Sequence, residues 1–279
     1  MYDYSRDIET LIVFGTYNRE EVAYKSLKSL IEATDGYNVK IVVSDSSPSR
    51  SQNFNLLNLN PDEYLWTPRR LSMASARNIA VSLGQEKYNF DWLLFLEDDI
   101  EYDKRWYPSL LEKAKKLYGT KSVLGLAHGI FTASPMGVKN DELTKYDKEH
   151  DIYVAPFGPR ADQRLIKTTH YNNISKFWES DLLGISSAQT GKVINRSLMQ
   201  GYCAVSIGHL GLCKFLDEDE STWVGIRDIG PAAFDKRIEG YRSIYIAAED
   251  KFDNTVSVYR TGDIKPQTFI PMTLSLIHI

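Results

Sequence analysis

Residues 92 to 100 read Trp92-Leu93-Leu94-Phe95-Leu96-Glu97-Asp98-Asp99-Ile100, five apolar side chains running straight into three acids. A short continuous apolar run is the pattern of a strand buried on both faces of a parallel sheet. Carboxylates at the end of such a strand lose hydration and repel one another, so they call for a cation or a cluster of hydrogen-bond donors. The stretch implies a buried strand and a polar site at its carboxyl end.

The same grammar extends toward the N-terminus. Thr10 to Phe14 is a compact β-rich run ended by Gly15, and Glu20 to Ala33 has helical spacing through Val22, Leu27, Leu30 and Ile31. "VKIVVSD" (39–45) repeats the strand signal, and after a polar loop "SMASARNIAVSLG" (72–84) predicts a helix with Ser72 as N-cap and Gly84 as its stop. Strands separated by single helices predict a parallel sheet covered on both faces, with ligands at the carboxyl ends of the strands.

Those strand ends carry the chemistry. The first offers Thr16, Tyr17 and Arg19, the second Asp45 and Ser46, and the third Glu97, Asp98 and Asp99. Hydroxyls and Asp45 suit a base and a ribose, whereas carboxylates suit a hard divalent cation bridging to phosphate oxygens. Arg77, on the helix between the second and third strands, suits a diphosphate. A nucleotide diphosphate with its metal would satisfy the whole set. Blander readings stand beside this one. Asp45 can cap a turn with Ser46 and Ser47, Arg77 can form a solvated ion pair, and the three acids can complement the dipole of the helix implied by "DKRWYPSLLEKAKKLYG" (103–119).

The chain has 279 residues, 43% hydrophobic and 25% charged, enough for one large α/β core with a smaller lobe. A net charge of -4 gives no general attraction to nucleic acid or anionic membrane. Cys203 and Cys213 fit neither a disulfide framework nor a paired zinc pattern. No stretch reaches the ~18 apolar residues of a membrane span, and the first ten residues carry acids where a secretory leader wants basic and apolar ones. The expectation is a cytoplasmic protein, with peripheral membrane contact open through the apolar end "FIPMTLSLIHI" (269–279), which receives no function.

"TLIVFGTYNREEVAYKSLKSL", "KIVVSDSS", "LSMASARNIAVSLG" and "WLLFLEDDIEYDKRW", in this order, resemble the nucleotide-binding half of the inverting glycosyltransferases of family 2, which have the GT-A fold. The resemblance covers about Thr10 to Tyr107. It implies a Rossmann-like, mostly parallel sheet with helices on both faces and a smaller acceptor lobe. It also implies that Thr16 and Asp45 contact the nucleobase, Arg77 the nucleotide, Asp98 the ribose or sugar, and Asp99 a Mn2+ or Mg2+ ion. The family often has Asp where Glu97 stands, so Glu97 is a second metal candidate. The expected organisation is a nucleotide-sugar half (1–124), an acceptor and catalytic half (125–260) and a tail (261–279).

The second half is less periodic. "HGIFTASPMGVKNDELTKYDKEHDIYVAPFGPRADQ" (128–163) reads as loops shaping an acceptor pocket. "GKVINRSLM" resembles the family's segment after the acceptor loop, with Asn195 and Arg196 in place. "RDIGPAAFDKRIEGYRSIYIA" resembles its late segment, which makes Asp228 the catalytic base, although Arg227 stands where a first acid is usual. The run Asp217-Glu218-Asp219-Glu220 competes for that role or is a solvated loop. His128, His150, His170 and His209 form no close pair in sequence; one could complete a metal shell, as a late His does in some GT-A enzymes. Tyr153, Trp178, Tyr202 and Trp223 could stack on a sugar or serve as core.

Together these imply transfer of a sugar from a nucleotide diphosphate donor, UDP-sugar first, to an acceptor hydroxyl of a glycan or lipid-linked sugar, with inversion. The alternatives are a non-catalytic nucleotide-sugar or carbohydrate-binding module, motivated by Arg227, and a sugar nucleotidyltransferase. The latter wants a Gly-rich basic phosphate loop, and "GTYNREE" has one Gly and one Arg.

Overall fold

The computed structural model describes residues 7–47, 50–67, 73–133, 135, 145–155, 163–174, 196–207, 212–216, 257–260 and 263–268. Its first half runs β1 (Asp7–Thr16), α1 (Glu20–Thr34), β2 (Val39–Asp45), α2 (Arg50–Leu57), β3 (Glu63–Trp66), α3 (Met73–Lys87) and β4 (Asn89–Leu96). Then come β5 (Ile100–Tyr102), α4 (Trp106–Leu117), β6 (Ala127–Ala133), β7 (Lys145–Asp147), β8 (Ile152–Ala155), β9 (Gln163–Lys167) and α5 (Thr168–Asn173). The remaining strands are β10 (Tyr202–Ser206), β11 (Cys213–Phe215), β12 (Ser257–Arg260) and β13 (Asp263–Thr268).

One nine-stranded sheet, ordered β3-β2-β1-β4-β9-β6-β10-β8-β7, organises the fold. From β3 through β4 every pairing is parallel. Beyond β4 the sheet becomes mixed, because β9 runs antiparallel to both β4 and β6. The central strands are apolar on both faces: Leu11, Ile12, Val13 and Phe14 of β1 and Leu93, Leu94, Phe95 and Leu96 of β4 are all buried. Each such side chain contributes about 1.5–3 kcal/mol through burial. In β1 and β4, consecutive inward residues leave no solvated face, which is why the alternation of a half-exposed strand is missing from their sequences.

Three local differences from the sequence expectation have physical causes. The helix expected to stop at Gly84 continues to Lys87. Gly84 instead serves packing, since a Cβ there would meet Leu11 Cδ2 at 2.3 Å. The polar loop after β2 contains α2 and β3; α2 (RSQNFNLL) lacks an apolar stripe, so its pattern does not announce a helix. The stretch read as acceptor loops contains β6, β7 and β8, which join the sheet. β12 and β13 form a separate antiparallel ribbon.

The three acids of the opening stretch lie on the turn between β4 and β5. Because β5 intervenes before α4, they are not the first turn of that helix. β11 pairs with β5, and Leu216 N–H donates to the Asp99 carbonyl at 2.8 Å, so residues 212–216 run along the acid turn. No described helix is long and apolar enough to cross a membrane.

Candidate active site

β1, β2 and β4 end side by side, with Thr16 paired to Asp45 and Phe14 to Leu96 in register. This juxtaposition gathers polar groups scattered along the sequence into one pocket. Thr16 Oγ1 donates to Asp98 Oδ2 at 2.7 Å. Arg19 Nη1 reaches Asp98 Oδ1 at 3.1 Å and Asp99 Oδ2 at 3.3 Å. Thus the first strand's loop neutralises the third strand's acids.

Asp45 is fully buried at the end of β2. Its Oδ1 accepts from the Ser47 N–H at 2.8 Å and from Gln52 Nε2 at 3.4 Å, while Oδ2 accepts from Tyr64 Oη at 2.6 Å. The bond to Ser47 is the turn cap of the blander reading; the neighbours Thr16 and Ser46, with Ser46 N–H donating to the Thr16 carbonyl at 3.2 Å, keep Asp45 in the pocket. Burial and the Asp45 carboxylate push the Tyr64 phenol upward, so Tyr64 stays a donor.

Glu97 is engaged by two guanidiniums. Arg77 Nη2 donates to its Oε1 at 2.6 Å, and Arg164 Nη1 lies 3.7 Å from the same oxygen. The Arg77 side chain is only 4% exposed and lies over the Phe95 ring at 5.8 Å, so its ion pair with the part-buried Glu97 is shielded rather than freely solvated. The metal candidate Glu97 is therefore the counter-ion of Arg77 and Arg164. Tyr17 directly follows Thr16, the last residue of β1, at the edge of this pocket.

Burial, reinforced by Asp98 and Glu97 and opposed by Arg19, pushes the Asp99 carboxyl up to about 7. Burial also raises Asp98, with Arg19 and Thr16 opposing. Asp99 Oδ1 is buried and has no hydrogen-bond partner. A carboxylate oxygen left bare in a buried anionic pocket is the feature a hard cation satisfies, so the residues present fit a divalent ion held by Asp99 with Asp98 beside it. Among the described residues no three His, Cys, Asp or Glu side chains are already gathered as metal ligands.

The histidines do not complete that shell where they are described. Because Leu96 and Ala133 both pair with Gln163, the carboxyl end of β6 is at the pocket and His128 is at its far end. There His128 meets His150, with ring centroids 5.5 Å apart, and His150 Nδ1 lies 3.0 Å from Asp147 Oδ2. His170 packs on Tyr202, which stacks on Tyr118, so Tyr202 serves the interior. Tyr153 packs on Tyr146. Arg196 Nη1 donates to the Ile174 carbonyl at 3.0 Å. Asp228, the run 217–220, Asn195, Trp178, Trp223 and His209 lie outside the described residues.

Sequence reading missed Gln52, Tyr64 and Arg164. Gln52 is fully buried and ties three parts together, its Nε2 donating to Thr16 Oγ1 at 3.1 Å and its Oε1 accepting the Arg19 N–H at 2.9 Å. A Gln in a polar stretch carries no signal of burial; the partners that bury it are remote in sequence.

A parallel β3-β2-β1-β4 core with acids on the turn after β4, continued by a mixed sheet, is the GT-A glycosyltransferase fold. The family model described as glycosyl transferase family 2 matches residues 11–173, and the chain belongs to that family. Among solved structures, S. aureus TarS 1-349 in complex with UDP is similar at a TM-score of 0.59 and 13% identity, covering 88% of this chain and 68% of that one. Mannosyltransferase PcManGT from Pyrobaculum calidifontis, in complex with GDP-Man and Mn2+, is similar at 0.53 and 15%, covering 88% and 72%. Glucosyl-3-phosphoglycerate synthase from Mycobacterium tuberculosis, in complex with Mg2+ and UDP, is similar at 0.50 and 11%, covering 94% and 88%. Against the longer TarS chain the match spans 39% of its length. No curated protein matches the sequence.

Proposed function

We propose that the protein transfers a sugar from a nucleoside diphosphate donor, a UDP-sugar, to an acceptor hydroxyl of a glycan or lipid-linked sugar, with inversion and with a Mn2+ or Mg2+ ion. The observation that carries this reading is the bare, buried Asp99 Oδ1 beside Asp98, at the strand ends where Thr16, Ser46 and Asp45 converge.

Asp99, with Asp98, holds the cation. When bound, that ion supplies positive charge against the leaving diphosphate. Thr16, Ser46 and Asp45 form the wall for base and ribose, and Arg77, paired with Glu97, is the cation assigned to the nucleotide. The acceptor oxygen forms its bond to the anomeric carbon as the bond from that carbon to the diphosphate oxygen breaks. The electron pair leaves with the nucleoside diphosphate, and the acceptor proton passes to a carboxylate, for which Asp228 is the assignment. Leu216, immediately before the competing run at Asp217, is tied to the Asp99 carbonyl. Variants in that run are thus the control for Asp228.

The test is thermal unfolding of the full chain with UDP, GDP, TDP, ADP and CMP, each with and without Mn2+. A ligand at about 100 times its dissociation constant stabilises by about 2.7 kcal/mol. UDP stabilising only with metal is the expected result; no shift with any nucleotide overturns the reading. Asp228→Asn should abolish transfer while leaving that shift intact. If transfer survives in Asp228→Asn but is lost when Asp217 to Glu220 are neutralised, the base lies in the run.

A further inference from the structure

At the acid turn one nitrogen bridges two different carboxylates: Arg19 Nη1 is 3.1 Å from Asp98 Oδ1 and 3.3 Å from Asp99 Oδ2. A guanidinium paired for its own sake usually presents two nitrogens to one carboxylate. Here a single Nη1 sits between neighbouring acids, as a point cation would.

The backbone beneath Arg19 is fixed in the conformation that sends the side chain there. Asn18 is left-handed at φ +52, a conformation that Asn tolerates better than most residues. Its N–H donates to Ser47 Oγ at 2.6 Å, and the Arg19 N–H donates to Gln52 Oε1 at 2.9 Å. The helix gives no reason for a cation at this position. Arg19 is the N-cap of α1 and makes no side-chain cap bond, and positive charge at a helix N-terminus opposes the dipole. The acids are the reason.

We infer that Arg19 is the pocket's own cation, bound to Asp98 Oδ1 and Asp99 Oδ2 beside the bare Asp99 Oδ1 that a divalent metal would meet, so that metal entry requires the guanidinium to withdraw. This rests on the reading of Asp99 and Asp98 as the metal-holding acids. Two cations cannot share one pair of carboxylates at these distances, because their repulsion in a partly buried site exceeds that in water several-fold. Metal alone therefore binds weakly. A metal carried on a diphosphate binds better, because the phosphates offer the displaced guanidinium a new anionic partner. Arg19 thereby couples metal affinity to the presence of the nucleotide. It is a positioning residue whose removal strengthens metal binding, opposite in sign to the loss of a ligand.

The experiment is titration of the full chain with Mn2+ in the absence of nucleotide, followed by electron paramagnetic resonance, for wild type, Arg19→Gln and Arg19→Lys. Circular dichroism confirms folding of each. Arg19→Gln should bind Mn2+ about tenfold or more tightly than wild type. Arg19→Lys, which keeps the charge, should remain within about threefold of wild type. Adding UDP should tighten Mn2+ binding strongly in wild type and much less in Arg19→Gln. Adding Asp99→Asn to Arg19→Gln should cancel the gain. Unchanged or weaker Mn2+ binding in Arg19→Gln, with UDP-dependent Mn2+ binding intact in wild type, overturns the inference and leaves the proposed function standing. No Mn2+ binding to any variant, even with UDP, overturns both.

Discussion

The two ends of the sheet bury polar side chains of different kind among the described residues. At the carboxyl ends of β1, β2 and β4 the buried and part-buried groups are charged: Asp45 and Asp98, with the part-buried Glu97 and Asp99, against Arg77 and Arg164 and the part-buried Arg19. At the far end they are mostly neutral and locally matched. His170 Nε2 lies 2.8 Å from Ser197 Oγ and His128 Nδ1 lies 3.0 Å from Thr120 Oγ1, with the neutral His128 Nε2 left bare. Neutral groups paired this way stabilise the fold, and a neutral ring nitrogen left bare costs far less than a bare buried charge. Buried charges that leave an oxygen bare do ask for something, which is why the pocket reads as a site and the far end as architecture.

Substitutions at the two ends should behave differently, and the largest effect is expected at Asp99. Asp99→Ala should weaken Mn2+-dependent UDP binding about 100-fold or more by calorimetry, since it removes the carboxylate proposed to hold the ion. His170→Gln should leave that affinity within about twofold. Comparable losses from both would erase the distinction between site and architecture.

Glu97→Gln comes next, because it leaves the nearly inaccessible Arg77 guanidinium without its negative partner. Breaking a buried pair from one side should cost about 3 kcal/mol in urea unfolding. Combining it with Arg77→Met should recover much of that loss, and strict additivity of the two changes would mean the pair is not coupled.

The far end should show itself through pH. Burial lowers the His170 imidazole to about 4, so the unfolded chain binds a proton that the folded chain refuses between that value and the ordinary ~6.5. The unfolded state holds more protons in this window, so stability rises with pH across it and is lost as pH falls from ~6.5 toward 4. At pH 5 the loss is about 2 kcal/mol relative to pH 7.5, and His170→Gln should remove it. Equal acid sensitivity of the variant and wild type would show that His170 does not titrate this way.

The smallest change is expected at Gly84→Ala. Better helix propensity gains up to about 1 kcal/mol, but the added Cβ meets Leu11, itself fully buried, at 2.3 Å. Overpacking of 1–3 kcal/mol wins by roughly 1 kcal/mol net destabilisation. A stabilised variant would mean the β1 core yields easily.

Much of the charged end was legible in the sequence and little of the far end. Strand ends after apolar runs marked Thr16, Arg19, Asp45 and the Glu97 to Asp99 turn, because chain direction in a parallel sheet brings those ends together. Nothing local marked Gln52, Tyr64 or Arg164. Gln52 lies in a helix without an apolar stripe, Tyr64 on a four-residue strand, and Arg164 on an antiparallel strand inserted beside β4. Likewise His128 and His150, apart in sequence, meet only because β7 and β8 fold back beside β10, which runs along β6.

By itself the sequence determined the alternation of buried strands and helices, the family, and the concentration of acids at one strand end, since each depends on local pattern and chain order. Only the tertiary structure decided which cation answers which acid. Arg19 meets Asp98 and Asp99 while Arg77 and Arg164 meet Glu97, because side-chain partners depend on which strand ends become neighbours and at what register. A pattern along one chain carries the positions of the charges but not the distances between them, and Coulomb energies depend on those distances.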